Sequence, residues 1–348
     1  MRRVVPTDEY VTALQRELDI RFGDCGTWSV ETLYFGGGTP SRLGGDGVRD
    51  LLDVIRRRLD LVPGAEVTLE ANPEDITLDA ARAWREAGVN RLSIGAQSFH
   101  DDVLTWMHRT HDAAAIARAV EHARAAGIDN LSLDLIFALP QGIVRSWEGD
   151  VERALELEPS HLSLYGLTVE PQTPLGRWHS RGDVTESPDE RYESEFLNAH
   201  ERLALAGFEH YEVSNFGKPG QHSRHNSAYW TGAAYAGLGP SAHEFDGADR
   251  RWNVAAYTDW LRRLAAREDP LEERERLTQD NRLAEDVYLG LRTRRGVSIS
   301  NAEQSRIGAW VDAGWATYDG SDRIVLTPLG WLRLDALAAD LTLVRSCY

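Results

Sequence analysis

The feature that most constrains the fold is a repeated alternation of short strand-like runs with helix-like ones. Residues 32–35, 67–71, 91–94, 131–135 and 161–167 each read as a strand, a short apolar run bounded by turn residues. Between them, residues 48–59, 78–87, about 113–126 and about 144–157 carry helical spacing, and Gly88 and Gly127 stop two of these helices. A further helix is expected near the start, where Tyr10, Leu14 and Leu18 recur at helical spacing. Strands that alternate with helices form a parallel sheet through right-handed crossovers, so the chain is expected to be α/β. Its simplest closure is a full or partial (β/α) barrel, with a doubly wound sheet as the alternative.

The rhythm changes after Glu170. A polar stretch punctuated by Pro and Gly runs to Pro188, a helix is expected over 190–206, and a loop-rich segment dense in His, Asn, Tyr, Trp and Gly continues to His243. From Asn281 short helices precede two strands, 315–318 and 323–326, around the turn Asp319-Gly320-Ser321, and a last helix begins at Pro328. That order predicts a small winged-helix-like α+β domain. The expected division is a barrel core over 1–170, an accessory segment over 171–275 and the C-terminal domain over 276–348.

Composition narrows the functional classes. A length of 348 residues with 42% hydrophobic content is enough for a barrel and a smaller domain. With no run of 18 apolar residues and a polar N-terminus, neither an integral membrane protein nor a secretory signal is expected, and the cytoplasm is the expected compartment. A formal net charge of -17 would repel a phosphate backbone, so nucleic acid is not an expected partner. Cys25 and Cys347 form no CxxC pair and are read as unrelated thiols in a reducing compartment. Lys218 is the only lysine among many arginines, a bias that points to a GC-rich genome.

In a parallel barrel, residues just past the C-terminal ends of the strands line the active face. Gly36, Gly37, Gly38 and Thr39 follow the first run; Glu70 and Asn72, then Gln97 and Ser98, follow the next two, and Asp134 lies in the fourth. Successive glycines let backbone N–H groups approach a carboxylate or phosphate, although a plain tight turn uses them too. Glu70 alone could be a salt-bridge residue and Gln97 a helix cap; their convergence on one face is what points to a site. His108 with His111, and His222 with His225, have i, i+3 spacing, but zinc needs three or four ligands, so no metal site is expected in this chain. The segment from Ser223 to Trp230 groups an imidazole, an amide, a phenol and an indole. That composition suits a flat macrocycle, because histidine is a usual axial ligand of heme iron, and equally suits an aromatic cluster fastening the accessory segment to the barrel.

The strings 32–41 (TLYFGGGTPS), 68–73 (TLEANP), 88–99 (GVNRLSIGAQSF), 132–140 (SLDLIFALP), 161–170 (HLSLYGLTVE), 211–216 (YEVSNF) and 225–230 (HNxxYW) occur in this order. Together they resemble the radical S-adenosylmethionine (SAM) heme chaperones of the HemW type, relatives of oxygen-independent coproporphyrinogen III oxidase. The resemblance runs from about Tyr10 to the C-terminus. It implies a partial TIM-like barrel of the radical SAM type lacking its first strand, and SAM binding by Gly37, Gly38 and Thr39 with Glu70, Gln97, Arg109 and Asp134. It implies heme contact at His225, Asn226, Tyr229 and Trp230, and transfer of heme to an acceptor hemoprotein.

One family feature is missing from the chain. These proteins carry a strand of YIHIPFC type followed by CxxxCxxC, whose thiolates hold a 4Fe-4S cluster. The resemblance therefore leads us to expect a misplaced start codon, with the cysteine segment encoded upstream of Met1 and the cluster present only in that longer form. The alternatives are an oxygen-independent coproporphyrinogen III oxidase, against which the HNxxYW string argues, and a scaffold that has lost radical chemistry.

Overall fold

The computed structural model describes residues 6–23, 28–320 and 322–346. Cys25, Cys347 and Ser321 of the expected turn lie outside the described residues. The first element of the described residues is α1 (Thr7–Phe22), which buries Leu14 and Leu18. It continues as β1 (Trp28–Phe35), α2 (Gly44–Arg56), β2 (Leu59–Ala71), α3 (Leu78–Ala87), β3 (Arg91–Gln97), α4 (Asp101–Trp106), α5 (Ala113–Ala125), β4 (Asn130–Phe137), α6 (Trp147–Glu156) and β5 (His161–Gly166). These five strands pair in parallel and in chain order, as a (β/α) barrel requires. After α7 (Pro174–Ser180) and α8 (Asp189–Leu205) come β6 (Glu209–Glu212) and β7 (Asn215–Gly217), which extend the sheet antiparallel in the order β1-β2-β3-β4-β5-β7-β6. The result is a partial barrel whose edges, among the described residues, are β1 and β6.

The period-two side-chain pattern of a strand explains how this sheet makes a polar interior. Leu33, Val67, Leu69, Leu92, Ile94, Leu131, Leu133, Leu162 and Leu164 pack into the apolar core with Val48, Trp84, Ile116 and Val151 of the surrounding helices. The intervening residues are Thr32 and Tyr34, Glu66, Thr68 and Glu70, Arg91 and Ser93, Ser132 and Asp134, then His161, Ser163 and Tyr165. Parallel strands covered on both faces usually read as unbroken apolar runs. Here one face is predominantly polar, and that face is the inner one.

Several boundaries differ from the sequence reading. β2 begins at Leu59, because Leu59–Leu61 pair with Trp28–Val30 ahead of a register shift between Val30 and Thr32. Pro63 and Gly64 within that strand conceal it from a pattern search. α6 starts at Trp147 on a Ser146 cap, which leaves Arg145 ahead of the helix with its side chain buried against Asp150 (2.8 Å) and the Ile136 carbonyl (3.1 Å).

The accessory segment holds more regular structure than a loop. After α9 (Arg224–Trp230), β8 (His243–Phe245), β9 (Asp249–Asn253) and β10 (Leu271–Arg276) form a small antiparallel sheet, with α10 (Tyr257–Ala265) between the last two. β10 reads Leu-Glu-Glu-Arg-Glu-Arg and is exposed after its first residue, so no hydrophobic alternation announces it. Glu17 of α1 fastens this segment down. Its fully buried carboxylate accepts from Gly239 N (2.9 Å), Asn253 Nδ2 (2.6 Å), Trp260 Nε1 (3.0 Å) and Arg21 (3.1 Å), and Arg21 in turn donates to the Gly237 carbonyl and Glu244.

The C-terminal elements are α11 (Gln279–Arg292), β11 (Val297–Ser298), α12 (Gln304–Asp312), β12 (Ala316–Tyr318), β13 (Arg323–Leu326), α13 (Pro328–Trp331) and α14 (Leu334–Ser346). The strands pair antiparallel in the order β11-β13-β12, the expected winged-helix-like arrangement of helices with a small sheet. The single last helix expected from Pro328 is two, parted at Leu332 and Arg333. Among the described residues, no helix is long and apolar enough to cross a membrane.

Candidate functional site

A polar cavity of about 310 Å³ opens on the inner face near the C-terminal ends of β1 to β5. Tyr34, Gly38, Thr39, Glu70, Asn72, Ser93, Gly95, Gln97, Arg109, Asp134 and Tyr165 line it. Six of the residues expected for SAM share this one space: Gly38, Thr39, Glu70, Gln97, Arg109 and Asp134. Gly37 sits at its border and faces a neighbouring cavity.

The backbone explains why these residue types stand here. Gly37 has φ 83, in the left-handed region that glycine enters without steric cost. A Cβ on Gly36 would stand 2.5 Å from the Tyr34 ring and 2.8 Å from Glu70 Oε1, so only glycine lets Tyr34 donate its hydrogen bond to Glu70 (2.7 Å). Gln97 also has a positive φ, 66, just past a register shift between β3 and β4. Non-glycine residues held in that region store of order 1–3 kcal/mol of strain and cluster at functional sites. Gly95 leaves space for the Gln97 amide, since a Cβ there would lie 2.9 Å from Nε2.

Charge in the cavity is mixed. Arg109 donates to Asn72 Oδ1 (3.3 Å). Asp134 accepts from Ser93 Oγ (3.0 and 3.1 Å) and from Ser132 Oγ (3.3 Å). Burial pushes the Asp134 carboxyl up to about 6, against the lowering effect of hydrogen bonds from Ser163 and Ser93. Two carboxylates, one guanidinium and an exposed glycine backbone suit a zwitterionic ligand, which offers ammonium and hydroxyl donors together with a carboxylate acceptor.

Other expected polar residues point elsewhere. Ser98 is fully buried and donates to Asp150 (2.9 and 3.0 Å). His111 pairs with Glu74 (3.0 Å), while His108 meets the Trp178 ring edge-on. His222 stacks on Tyr211.

A second and larger cavity, about 930 Å³, lies along the β1 edge. Trp28, Val30, Thr32, Leu33 and Tyr34 form one side; His225, Tyr229, Tyr235, Leu238 and His243 are among those facing them. Tyr34 lines both cavities and stacks on His225, with ring centroids 5.0 Å apart. Nδ1 of His225 lies 2.8 Å from Thr32 Oγ1 and Nε2 lies 3.0 Å from the Tyr229 hydroxyl. Burial pulls the imidazole down to about 4, which keeps it neutral at physiological pH.

α9 is placed by its N-terminus. Ser223 Oγ accepts from Asn226 N (3.2 Å), and the buried Glu66 carboxylate of β2 accepts from Arg224 N and His225 N (both 3.0 Å). Positions 225 and 229 are four apart, as are 226 and 230, so HNxxYW carries two stripes offset by one residue. The first stripe lines the cavity. On the second, Asn226 is outside the lining, and Trp230 packs under the Arg292 guanidinium (4.2 Å), which is paired with the buried Glu212 (3.0 Å).

The radical SAM superfamily profile matches residues 13–153. A Mycobacterium tuberculosis protein named heme chaperone HemW is 38% identical over 344 residues, covering 97% of this chain and 87% of that one. Its Bacillus subtilis namesake is 35% identical over 297 residues, covering 84% and 78%. The chain belongs to the HemW family. The fold has a solved counterpart in the Escherichia coli coproporphyrinogen III oxidase HemN, a radical SAM enzyme, at a TM-score of 0.81 over 97% of this chain and 84% of that one, with 22% identity.

For this HemW-family chain, the list of strand-end residues missed Tyr34, Ser93 and Tyr165 in the first cavity and Glu66 beside the second. All four lie on the polar phase of the strands. The signal was present in the sequence as strict alternation through 66–70 (EVTLE), 91–95 (RLSIG) and 161–165 (HLSLY).

Proposed function

We propose that this protein is a cytoplasmic heme-binding chaperone that passes heme to an acceptor hemoprotein, and that its smaller cavity binds SAM. The observation that carries the heme reading is the neutral His225–Tyr229 pair on the wall of a cavity large enough for a macrocycle and flanked by Tyr34, Trp28 and Tyr235. A neutral imidazole is a usual heme-iron ligand, and flat aromatic walls suit a porphyrin. In the smaller cavity, Gly38 and Thr39 would hold the methionyl end of SAM, with Glu70, Gln97, Arg109 and Asp134 around it. When bound beside a reduced 4Fe-4S cluster, SAM supplies radical chemistry. The two cysteines of this sequence do not furnish the three thiolates of such a cluster, so the chemistry supported by these residues is binding.

Hemin titration followed at the Soret band tests the reading. His225→Ala is expected to weaken hemin binding at least tenfold and to shift the Soret maximum. Because His225 stays neutral down to about pH 4, wild-type affinity is expected to change less than twofold between pH 8 and 5.5. An exposed histidine titrating near 6.5 would instead lose affinity about tenfold over that range. Absence of hemin binding, or anaerobic decarboxylation of coproporphyrinogen III by a longer form that carries the cysteine segment and its cluster, would overturn the chaperone reading.

A further inference from the structure

A buried chain of hydrogen bonds runs from the first cavity to the start of α9, the helix whose His225 and Tyr229 line the second. From Asp134 Oδ1 it passes to Ser132 Oγ (3.3 Å), to His161 Nδ1 (2.8 Å), and from His161 Nε2 to the Tyr211 hydroxyl (2.8 Å). Tyr211 accepts from Ser223 N (3.3 Å), and Ser223 is the residue that caps α9. Ser132, His161 and Ser223 are inaccessible to solvent and Tyr211 is 7% exposed. None of these links is needed to explain the lining of either cavity.

The chain has a direction. At one end Ser223 N–H can only donate; at the other an ionised Asp134 can only accept. With Ser223 N–H occupying the Tyr211 oxygen, the Tyr211 O–H has His161 Nε2 as its acceptor. Burial holds His161 far below its usual range, so the ring is neutral and carries one proton. That proton must sit on Nδ1, donating to Ser132, whose own O–H then turns to Asp134. Ser163 Oγ, 3.3 Å from Ser132 Oγ, is a side branch. Reversing the chain would leave the Tyr211 hydroxyl facing a ring N–H, with no acceptor in place, which is costly for a buried donor.

We propose that His161 and Tyr211 are positioning residues that transmit the hydrogen-bonding state of Asp134 to the Ser223 cap of α9, and so couple the cofactor cavity to His225. The coupling rests on the reading of the two cavities given above; the direction of the chain does not. A ligand that engages Asp134 changes what Ser132 can donate to, and the change passes through His161 and Tyr211 to the start of the helix that bears His225 and Tyr229. Coupling between two binding sites is reciprocal, so either ligand reports on the other.

The test is hemin titration with and without saturating SAM, on wild type and on Tyr211→Phe, which deletes only the hydroxyl. SAM is expected to change the wild-type hemin Kd at least threefold, and the ratio is expected to fall to one in Tyr211→Phe. A wild-type ratio of one, or an unchanged ratio in the variant, overturns the proposal. Should Tyr211→Phe fail to fold, Ser132→Ala cuts the same chain at its other end. Nitrogen-15 NMR of the ligand-free protein gives an independent reading: the Nδ1–H tautomer of His161 is expected, and the Nε2–H tautomer overturns the relay. If hemin does not bind at all, the chaperone reading fails, while the tautomer still decides whether the chain runs as described.

Discussion

Glu17→Ala is expected to destabilise the protein by about 3–5 kcal/mol, the range for breaking a buried charged network by removing one member. Four donors converge on that carboxylate: Gly239 N–H, the Asn253 amide, the Trp260 indole and Arg21. Alanine leaves Gly239 N–H and the Trp260 indole without an acceptor in a region closed to water, each at a cost of about 1–3 kcal/mol before the structure relaxes, while Arg21 keeps the Gly237 carbonyl and Glu244, and Asn253 keeps the Gly239 carbonyl. Against a typical total of about 5–15 kcal/mol, this is a large fraction. Urea unfolding followed by tryptophan fluorescence measures it. Glu17→Gln keeps an acceptor oxygen and is expected to lose about half as much. A loss below 1 kcal/mol for the alanine variant would show that the accessory segment does not depend on Glu17. The same substitution reaches the larger cavity, because Gly237 and Leu238 line it beside the donors that Glu17 holds. Weaker hemin binding is expected to accompany the lost stability.

Gly38→Val is expected to separate binding from folding. No heavy atom lies within 4 Å of where a Cβ on Gly38 would stand, and its φ is outside the left-handed region, so the fold accepts a side chain there. The change in stability is expected to stay within about 0.5 kcal/mol, as for surface positions free of special contacts. Gly38 nevertheless lines the small cavity, and two γ-methyl groups there would compete with a ligand for space. A loss of SAM affinity of at least 30-fold is expected by isothermal titration, with hemin binding retained. Equal SAM affinity in the variant and wild type would move the ligand away from the glycine loop.

Much of the site was legible because barrel geometry converts sequence position into spatial position. A residue at the C-terminal end of a parallel strand reaches the same rim as its counterparts on neighbouring strands, whatever the chain separation. Glu70, Gln97 and Asp134 could therefore be grouped from strand positions alone, and the structure puts them in one cavity. Ser98 shows where that logic stops. The positive φ of Gln97 redirects the chain, and the next side chain enters the Asp150 network instead of the cavity.

The sequence by itself determined the α/β alternation, the five parallel strands, the glycine loop and the family. These follow from local periodicity and short motifs, which are properties of contiguous residues. Only the tertiary structure decided that His225 and Tyr229 share a cavity with Thr32 and Tyr34, that Trp230 lies under Arg292, and that Glu17 holds residues 239, 253 and 260. It also decided that Asp134 and Ser223 are joined through His161 and Tyr211. Each of these arrangements brings together residues distant in the chain, several of them through buried polar groups. Their partners depend on which donors and acceptors the packed core leaves within reach, and no local pattern encodes that.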